Sequence, residues 1–325
     1  MPSVGIVGAS GYAGALAAQL IDRHPHFELA YVTARAEAGM RLGDLHPRTR
    51  VDRGLEPFDA DHAVDAAIVG YPHGAAAPAV AALRERGVRV VDLSADFRLR
   101  DGTVYEDWYG EHGAPELFGT AVYGLPELHR EEIRGAGLVA GPGCFPTAAL
   151  LALVPLARAG LIGEAVVIDA KSGVSGAGRG ATDTTHFVSA NEDLKAYKVA
   201  GHRHRPEIEQ ELGHDVLFVP HLAPMTSGEL DSCYVKAARP TDAAELAEIY
   251  SVYAGEPFVD MLDRPPGVLE VRETNDCRIF AHFDERTSQI IVLAAIDNLW
   301  KGTASQAVQS LNLMFGRPET EGLRP

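Results

Sequence analysis

Cys144 lies in Gly141-Pro142-Gly143-Cys144-Phe145-Pro146-Thr147, after the apolar run 138–140 and before the apolar stretch 148–156. That order puts a thiol at the start of a helix, where free backbone N–H groups carry partial positive charge and favour thiolate over thiol. A lowered thiol pKa and a nucleophilic role are therefore expected of Cys144. The flanking glycines leave room for a substrate, and Pro146 suits a first helical turn. Cys233 and Cys277 lie inside strand-like sequence and read as buried, inert thiols. Three cysteines without a CxxC indicate neither a disulfide framework nor a structural zinc site.

A second group runs from Lys195 to Pro206, with Lys195, Lys198, Arg203 and Arg205 and no acid. A basic patch in a chain of net charge −16 suits an anionic substrate recognised at short range. Within it, His202 and His204 supply groups able to move protons near neutral pH. A His-x-His pair can also hold a metal or sit in a solvated loop, but no further ligand cluster completes a metal site, so none is expected. The glycine-rich segment Lys171-Ser-Gly-Val-Ser175-Gly176-Ala-Gly-Arg179 either presents N–H groups and cations to a phosphate or simply turns the chain.

A third group is Gly8-Ala9-Ser10-Gly11-Tyr12-Ala13-Gly14, which follows a strand-like run and opens a helical one. Small residues there let the backbone approach a pyrophosphate, and the helix start favours its charge. The next strand ends Val32-Thr33-Ala34-Arg35 rather than in the acid that binds a ribose 2′-hydroxyl. A hydroxyl followed by a guanidinium favours NADP(H); Glu37 nearby is compatible with Arg35 being a solvated surface residue.

The elements that must hold these groups follow from periodicity. Short β-rich runs at 4–7, 29–33, 66–71, 88–93 and 138–140 alternate with Ala/Leu-rich helical stretches at 13–22 and 76–86, the pattern of a Rossmann-type doubly wound parallel sheet. From about residue 165, longer runs at 165–170, 215–220, 231–237, 277–284 and 289–296 predict an α+β region with a mainly antiparallel sheet, and 284–288 a hairpin turn. Ala304, Ala307, Val308, Leu311 and Met314 recur at helical spacing. The length of 325 residues accommodates two domains, expected at 1–143 with 299–325 and at 144–298. A 46% hydrophobic, 23% charged composition excludes disorder, and the acidic excess opposes nucleic-acid and anionic-membrane partners. No run is long and apolar enough for a membrane span and the N-terminus has no signal-peptide pattern, so a cytoplasmic location is expected.

Taken in order, GASGYAG at Gly8, DLSADFRL at Asp92, PGC with PTA around Cys144, KSGVSGAGR at Lys171, GHRH-x-PEI at Gly201, PHLAPM at Pro220, TNDC at Thr274 and IDNLWKG at Ile296 resemble the semialdehyde dehydrogenase family, in its arginine-biosynthetic branch, nearly end to end. The resemblance implies a Rossmann domain completed by the C-terminal helix and a central domain used to form a homodimer or homotetramer. It also implies NADPH-dependent reduction of N-acetyl-gamma-glutamyl phosphate to the semialdehyde through a Cys144 thioester. It further implies His202 as acid/base; Arg98, Arg203, His204, Arg205 and Lys171 toward the anionic acyl-phosphate substrate; Ser175 and Gly176 lining the cofactor; and Pro142 and Asn298 near its nicotinamide. Two positions depart from the family pattern. Gly141 stands where Asn is usual, and Ser227-Gly228-Glu229-Leu230 stands where Arg-Gly-Ile-Leu is usual, leaving Arg205 as the expected compensating cation. Reduction of another acyl phosphate, or binding of NADP(H) by a non-catalytic sensor, are the alternatives.

Overall fold

The computed structural model describes residues 1–324. They divide into two compact units, Met1–Gly143 with the segment from Thr303 onward, and Cys144–Gly302. In the first, β1 (Ser3–Val7), β2 (Glu28–Thr33), β3 (Leu55–Glu56), β4 (Ala66–Val69), β5 (Arg89–Asp92), β6 (Val122–Tyr123) and β7 (Leu138–Ala140) form one sheet of order β3-β2-β1-β4-β5-β7-β6. Every pairing is parallel. The order steps outward from β1 in both directions, which opens a crevice at the carboxyl ends of β1 and β4.

The loop at that crevice is followed by the helix Tyr12–Asp22, which buries Ala15, Ala17, Ala18, Leu20 and Ile21. The late helix Ser305–Met314 packs on it and on the helix Pro126–Gly135. All ten residues of that late helix are buried, three of them long amides. Two find partners in the tail: Gln309 donates to Glu319 at 2.9 Å and Asn312 to the Glu321 carbonyl at 2.9 Å. Glu319 also pairs with Arg130 at 2.6 Å.

The second unit contains β8 (Ile162–Gly173), β9 (Lys195–Ala196), β10 (Leu217–Ala223), β11 (Glu229–Ala237), β12 (Val259–Met261), β13 (Cys277–Asp284) and β14 (Gln289–Ile296), in the order β12-β13-β14-β11-β8-β10-β9. Four pairings are antiparallel; β8–β10 and β12–β13 are parallel. The helix Cys144–Arg158 lies on one face, and its residues 145–156 are all buried. Pro155 lacks the N–H that would bond Leu151, and the Tyr253 hydroxyl fills that vacancy by donating to the Leu151 carbonyl at 2.7 Å. Strand alternation turns Glu229, Asp231, Cys233 and Val235 toward the helix and Leu230, Ser232 and Tyr234 the other way. On that other face Val167, Val219, Leu230, Ile291 and Leu293 stay partly exposed.

Candidate functional site

Cys144 is the first residue of its helix and keeps part of its surface accessible. Gly302 passes so close that a Cβ there would lie 2.7 Å from the Cys144 Cβ, so only glycine fits. Across β11, the Glu229 carboxylate is fully buried and faces the Cys144 thiol and the Ser172 hydroxyl of the neighbouring strand. Neither of its oxygens is held by a close, well-aligned hydrogen bond. Burial pushes the Glu229 carboxyl up to about 8; the thiol and hydroxyl beside it pull it back, and Asp297 pushes it further up.

The expected lowering of the Cys144 pKa does not occur in this arrangement. Burial raises the thiol well above its usual value, Glu229 adds like-charge repulsion and Asp231 a little more, while the Phe145 N–H at the helix start acts weakly the other way. The helix-start effect is real but is outweighed by burial together with two acids brought in by a distant strand.

His202 belongs to an aromatic cluster with Phe145, Tyr197, His204 and Phe218; its ring centroid is 5.8 Å from Phe145 and 4.7 Å from His204. Its Nδ1 accepts the His204 N–H at 3.1 Å, which leaves the proton on Nε2, 3.3 Å from the Tyr197 hydroxyl. Burial, then Lys198 and Arg203, lower its pKa to about 4, so the ring is neutral at neutral pH. Burial, then Cys144 and Glu229, hold the Tyr197 phenol above its ordinary range. Tyr197 thus stands in the field of the thiol pair on one side and in contact with the imidazole on the other.

Asn298 is buried and ties the loop after β8 to the start of β11: Nδ2 donates to Ser175 Oγ at 3.0 Å, and Oδ1 accepts the Gly228 N–H at 2.8 Å. A Cβ on Gly176 would come 3.2 Å from Ser172 Oγ and 3.5 Å from Asn298 Nδ2. Ser227 is buried and donates to Asp297 at 3.3 Å. A guanidinium is present at Ser227 after all: Arg272 Nη2 donates to the Ser227 carbonyl at 2.9 Å, and its Nε is buried without a partner. Arg205, the expected substitute, is bound to Glu209 at 2.8 Å. Arg203 and His204 lie in the turn that leads into the helix Arg205–Leu212.

In the other unit, Gly8 has φ +86° and Gly14 packs so tightly that a Cβ would stand 2.3 Å from the Gly8 carbonyl oxygen. Gly11 caps the helix without a side chain, and the first turn, Tyr12, Ala13 and Gly14, contains no acid. Ser10 is fixed through its carbonyl, which accepts from His46 Nε2 at 2.9 Å. A cavity of about 420 Å³ is lined by Ala34, Arg35, Phe58, Tyr71 and Pro78, with Arg35 exposed. An acid-free, glycine-packed helix start fits the pyrophosphate of a dinucleotide.

Three expected residues are placed otherwise. Thr33 is buried, and its hydroxyl lies 3.4 Å from the Gly8 N–H, so it braces the loop instead of facing a ribose. Lys171 is paired with Asp169 at 2.7 Å on the sheet face opposite Ser172 and Glu229, away from the thiol. Arg98 is buried and donates to the Gly141 carbonyl at 2.8 Å and the Leu93 carbonyl at 2.9 Å, which holds the segment carrying Gly141 and buried Pro142. Tyr197, Ser172, Arg272 and Gly302 are given no site role by the sequence, and Glu229 shows there only as a departure from the family's Arg-Gly-Ile-Leu. For Glu229 and Asp231 a signal exists: acids two apart, in phase with Cys233 and Val235 in one strand, must share the buried face.

Residues 144–298 match the semialdehyde dehydrogenase dimerisation domain and residues 3–136 the semialdehyde dehydrogenase NAD-binding domain. The chain is 47% identical to an N-acetyl-gamma-glutamyl-phosphate reductase of Moorella thermoacetica, over 99% of this chain and 98% of the relative. It is 49% identical to the protein of that name in Desulforudis audaxviator, with the same coverage. Among solved structures, aspartate semialdehyde dehydrogenase II of Vibrio cholerae superposes with a TM-score of 0.74 at 18% identity, covering 97% of this chain and 98% of the other. The aspartate semialdehyde dehydrogenase of Candida albicans with NADP superposes at 0.73 and 15% identity, covering 97% and 98%. The chain belongs to the semialdehyde dehydrogenase family.

Proposed function

We propose that the protein reduces N-acetyl-gamma-glutamyl phosphate to N-acetylglutamate 5-semialdehyde and phosphate, using NADPH, in arginine biosynthesis. The observation that carries this reading is the partly accessible Cys144 thiol at a helix start, bordered by a carboxylate and a phenol–imidazole pair. The substrate is taken from the relatives' name, which applies along almost the whole chain.

Cys144 attacks the acyl carbon and phosphate leaves, giving a thioester, a far better hydride acceptor than a carboxylate. NADPH, when bound, supplies that hydride. His202, in contact with Tyr197, serves as the acid/base while the thiohemiacetal forms and collapses. Arg203, His204 and Arg272 bind the anionic groups of the substrate, with Arg272 supplying the cation absent at position 227. Arg98 and Pro142 shape the segment before Cys144. Gly8, Ser10, Gly11, Tyr12, Ala13 and Gly14 hold the pyrophosphate, Arg35 the 2′-phosphate, and Ser175, Gly176 and Asn298 the remaining cofactor contacts. The partly exposed face of the second sheet seats a second copy in a cytoplasmic homodimer or homotetramer, in keeping with the dimerisation domain matched there.

The test is the reverse reaction, following NADPH formation from NADP⁺, phosphate and N-acetylglutamate semialdehyde, with aspartate semialdehyde beside it. Phosphate-dependent turnover of the acetylated substrate alone is expected. Activity only with aspartate semialdehyde, or with neither, would reject the substrate. Arg35→Ala should weaken NADPH on the order of ten- to a hundredfold and NADH hardly at all; equal losses would remove its role.

A further inference from the structure

We infer that His46 is a positioning residue for the cofactor, holding the Ser10–Gly11 peptide in the orientation in which the Gly8–Gly14 loop receives the pyrophosphate. The inference rests on the reading of that loop as the dinucleotide site and adds the group that sets its geometry.

The loop has a weakness of its own. Small residues let the backbone come close to an anion, but a glycine also leaves the peptide bond before it free to turn over, because a residue without a Cβ accepts φ of either sign. Gly11 stands at that point, with φ −80° and ψ 163°, and provides no side-chain cap. The Gly8 carbonyl accepts the Gly11 N–H at 3.4 Å, a long bond that holds the peptide poorly. The N–H and C=O of one trans peptide point in opposite directions. Turned over, the Ser10–Gly11 peptide would bring its carbonyl oxygen to the side the Gly11 N–H now occupies and set negative charge against the pyrophosphate.

His46 supplies the restraint. Its Nε2 donates to the Ser10 carbonyl at 2.9 Å, and its ring meets Tyr12, the first residue of the helix, edge-on with centroids 5.9 Å apart. The ring is presented by an excursion between β2 and β3 that doubles back on itself. Arg41 bridges antiparallel to Gly54, the Leu42 N–H donates to the Arg53 carbonyl at 2.9 Å, and the Leu55 N–H donates to the Met40 carbonyl at 2.8 Å. Leu42 and Val51 are buried, and Arg53 ties the excursion to β2 by donating to the Leu29 carbonyl at 2.8 Å. A single helical turn, Leu42–Leu45, ends at His46, whose own carbonyl accepts from the N–H and the hydroxyl of buried Thr49 at 3.0 and 2.9 Å. The same excursion opens with Arg35, but the two residues act on different parts of the nucleotide: Arg35 on the 2′-phosphate, His46 on the pyrophosphate through the loop.

The test separates those parts. Kd values for NADPH and NADH, and the Ki of adenosine 2′-monophosphate against NADPH, are measured for the wild type, His46→Ala, His46→Gln and His46→Asn. The Gln side-chain nitrogen stands as many bonds from Cα as Nε2 does, and the Asn nitrogen as many as Nδ1, so Gln alone restores the donor. In His46→Ala both dinucleotides should weaken by the same factor, roughly three- to fifteenfold, as the loss of one hydrogen bond implies. The KM for NADPH should rise alike, with kcat and the Ki of adenosine 2′-monophosphate within about twofold of the wild type. His46→Asn should behave as His46→Ala, and His46→Gln should recover the wild-type affinity to within about twofold. Unchanged binding in His46→Ala, equal behaviour of Gln and Asn, or a loss shared by adenosine 2′-monophosphate would each overturn the inference, the last because general damage to the unit would then be the cause. Should His46→Ala not fold, the comparison of Gln with Asn decides alone. A wild type that binds neither dinucleotide would instead reject the cofactor reading and take this inference with it.

Discussion

Two helices in this chain start the same way and end up electrically opposite. Tyr12–Asp22 and Cys144–Arg158 each follow a parallel strand and a glycine-bearing turn, and neither has an acid in its first turn. At the first, the opening turn holds no acid and its N-cap, Gly11, offers no side chain to the free N–H groups. At the second, Glu229 and Asp231 stand beside the opening residue, Cys144, and help reverse the pKa shift that the helix alone would produce. A helix start is therefore an anion site only by permission of what packs against it.

The largest effect expected on this contrast is from Cys144→Ser, which should lower semialdehyde formation by a factor on the order of 10⁴ or more while leaving NADPH binding unchanged. Fluorescence titration of NADPH beside the turnover assay checks it; retained turnover would put the chemistry elsewhere. Next is Gly14→Ala, whose methyl would collide with the Gly8 carbonyl. It should cost roughly 1–3 kcal/mol of stability by urea titration and weaken NADPH, whereas an unperturbed variant would mean that the loop relaxes freely. The smallest concerns His202. Its folded pKa of about 4 lies below the ordinary 6.5, so the folded chain binds fewer protons than the unfolded one between those values. This contribution is intact above pH 6.5 and is lost as pH falls toward 4, by about 1 kcal/mol for the first unit of pH. His202→Asn should flatten the dependence, and an NMR titration midpoint near 6.5 for His202 would contradict it.

These cases also show what can be read from sequence. The Gly8–Gly14 loop is legible because its determinants are local: a strand, three glycines and a helix. The position of Cys144 is legible for the same reason, but the direction of its pKa shift is not, since it depends on β11 lying beside the helix Cys144–Arg158. The placement of Lys171 is lost when Lys171–Arg179 is taken as one loop; the strand continues to Gly173, and its alternation sends Lys171 and Ser172 to opposite faces. Thr33 shows the same limit, because a hydroxyl at a strand end can brace its own loop as readily as meet a ligand. The mainly antiparallel second sheet is evident from its long runs, while the parallel β8–β10 and β12–β13 pairs depend on long-range topology that periodicity does not encode.

The chain order of the first unit bears on how the protein is made. The helix Ser305–Met314 lies against Tyr12–Asp22 and Pro126–Gly135, and Glu319 anchors the tail to Arg130. A nascent chain leaves the ribosome from its N-terminus, so this unit must wait for the segment from Thr303 onward to be synthesised, while Cys144–Gly302 is already complete. Throughout that interval the apolar faces of the two early helices lack their cover. A stop codon before Ser305 would thus damage the start of the molecule more than its middle.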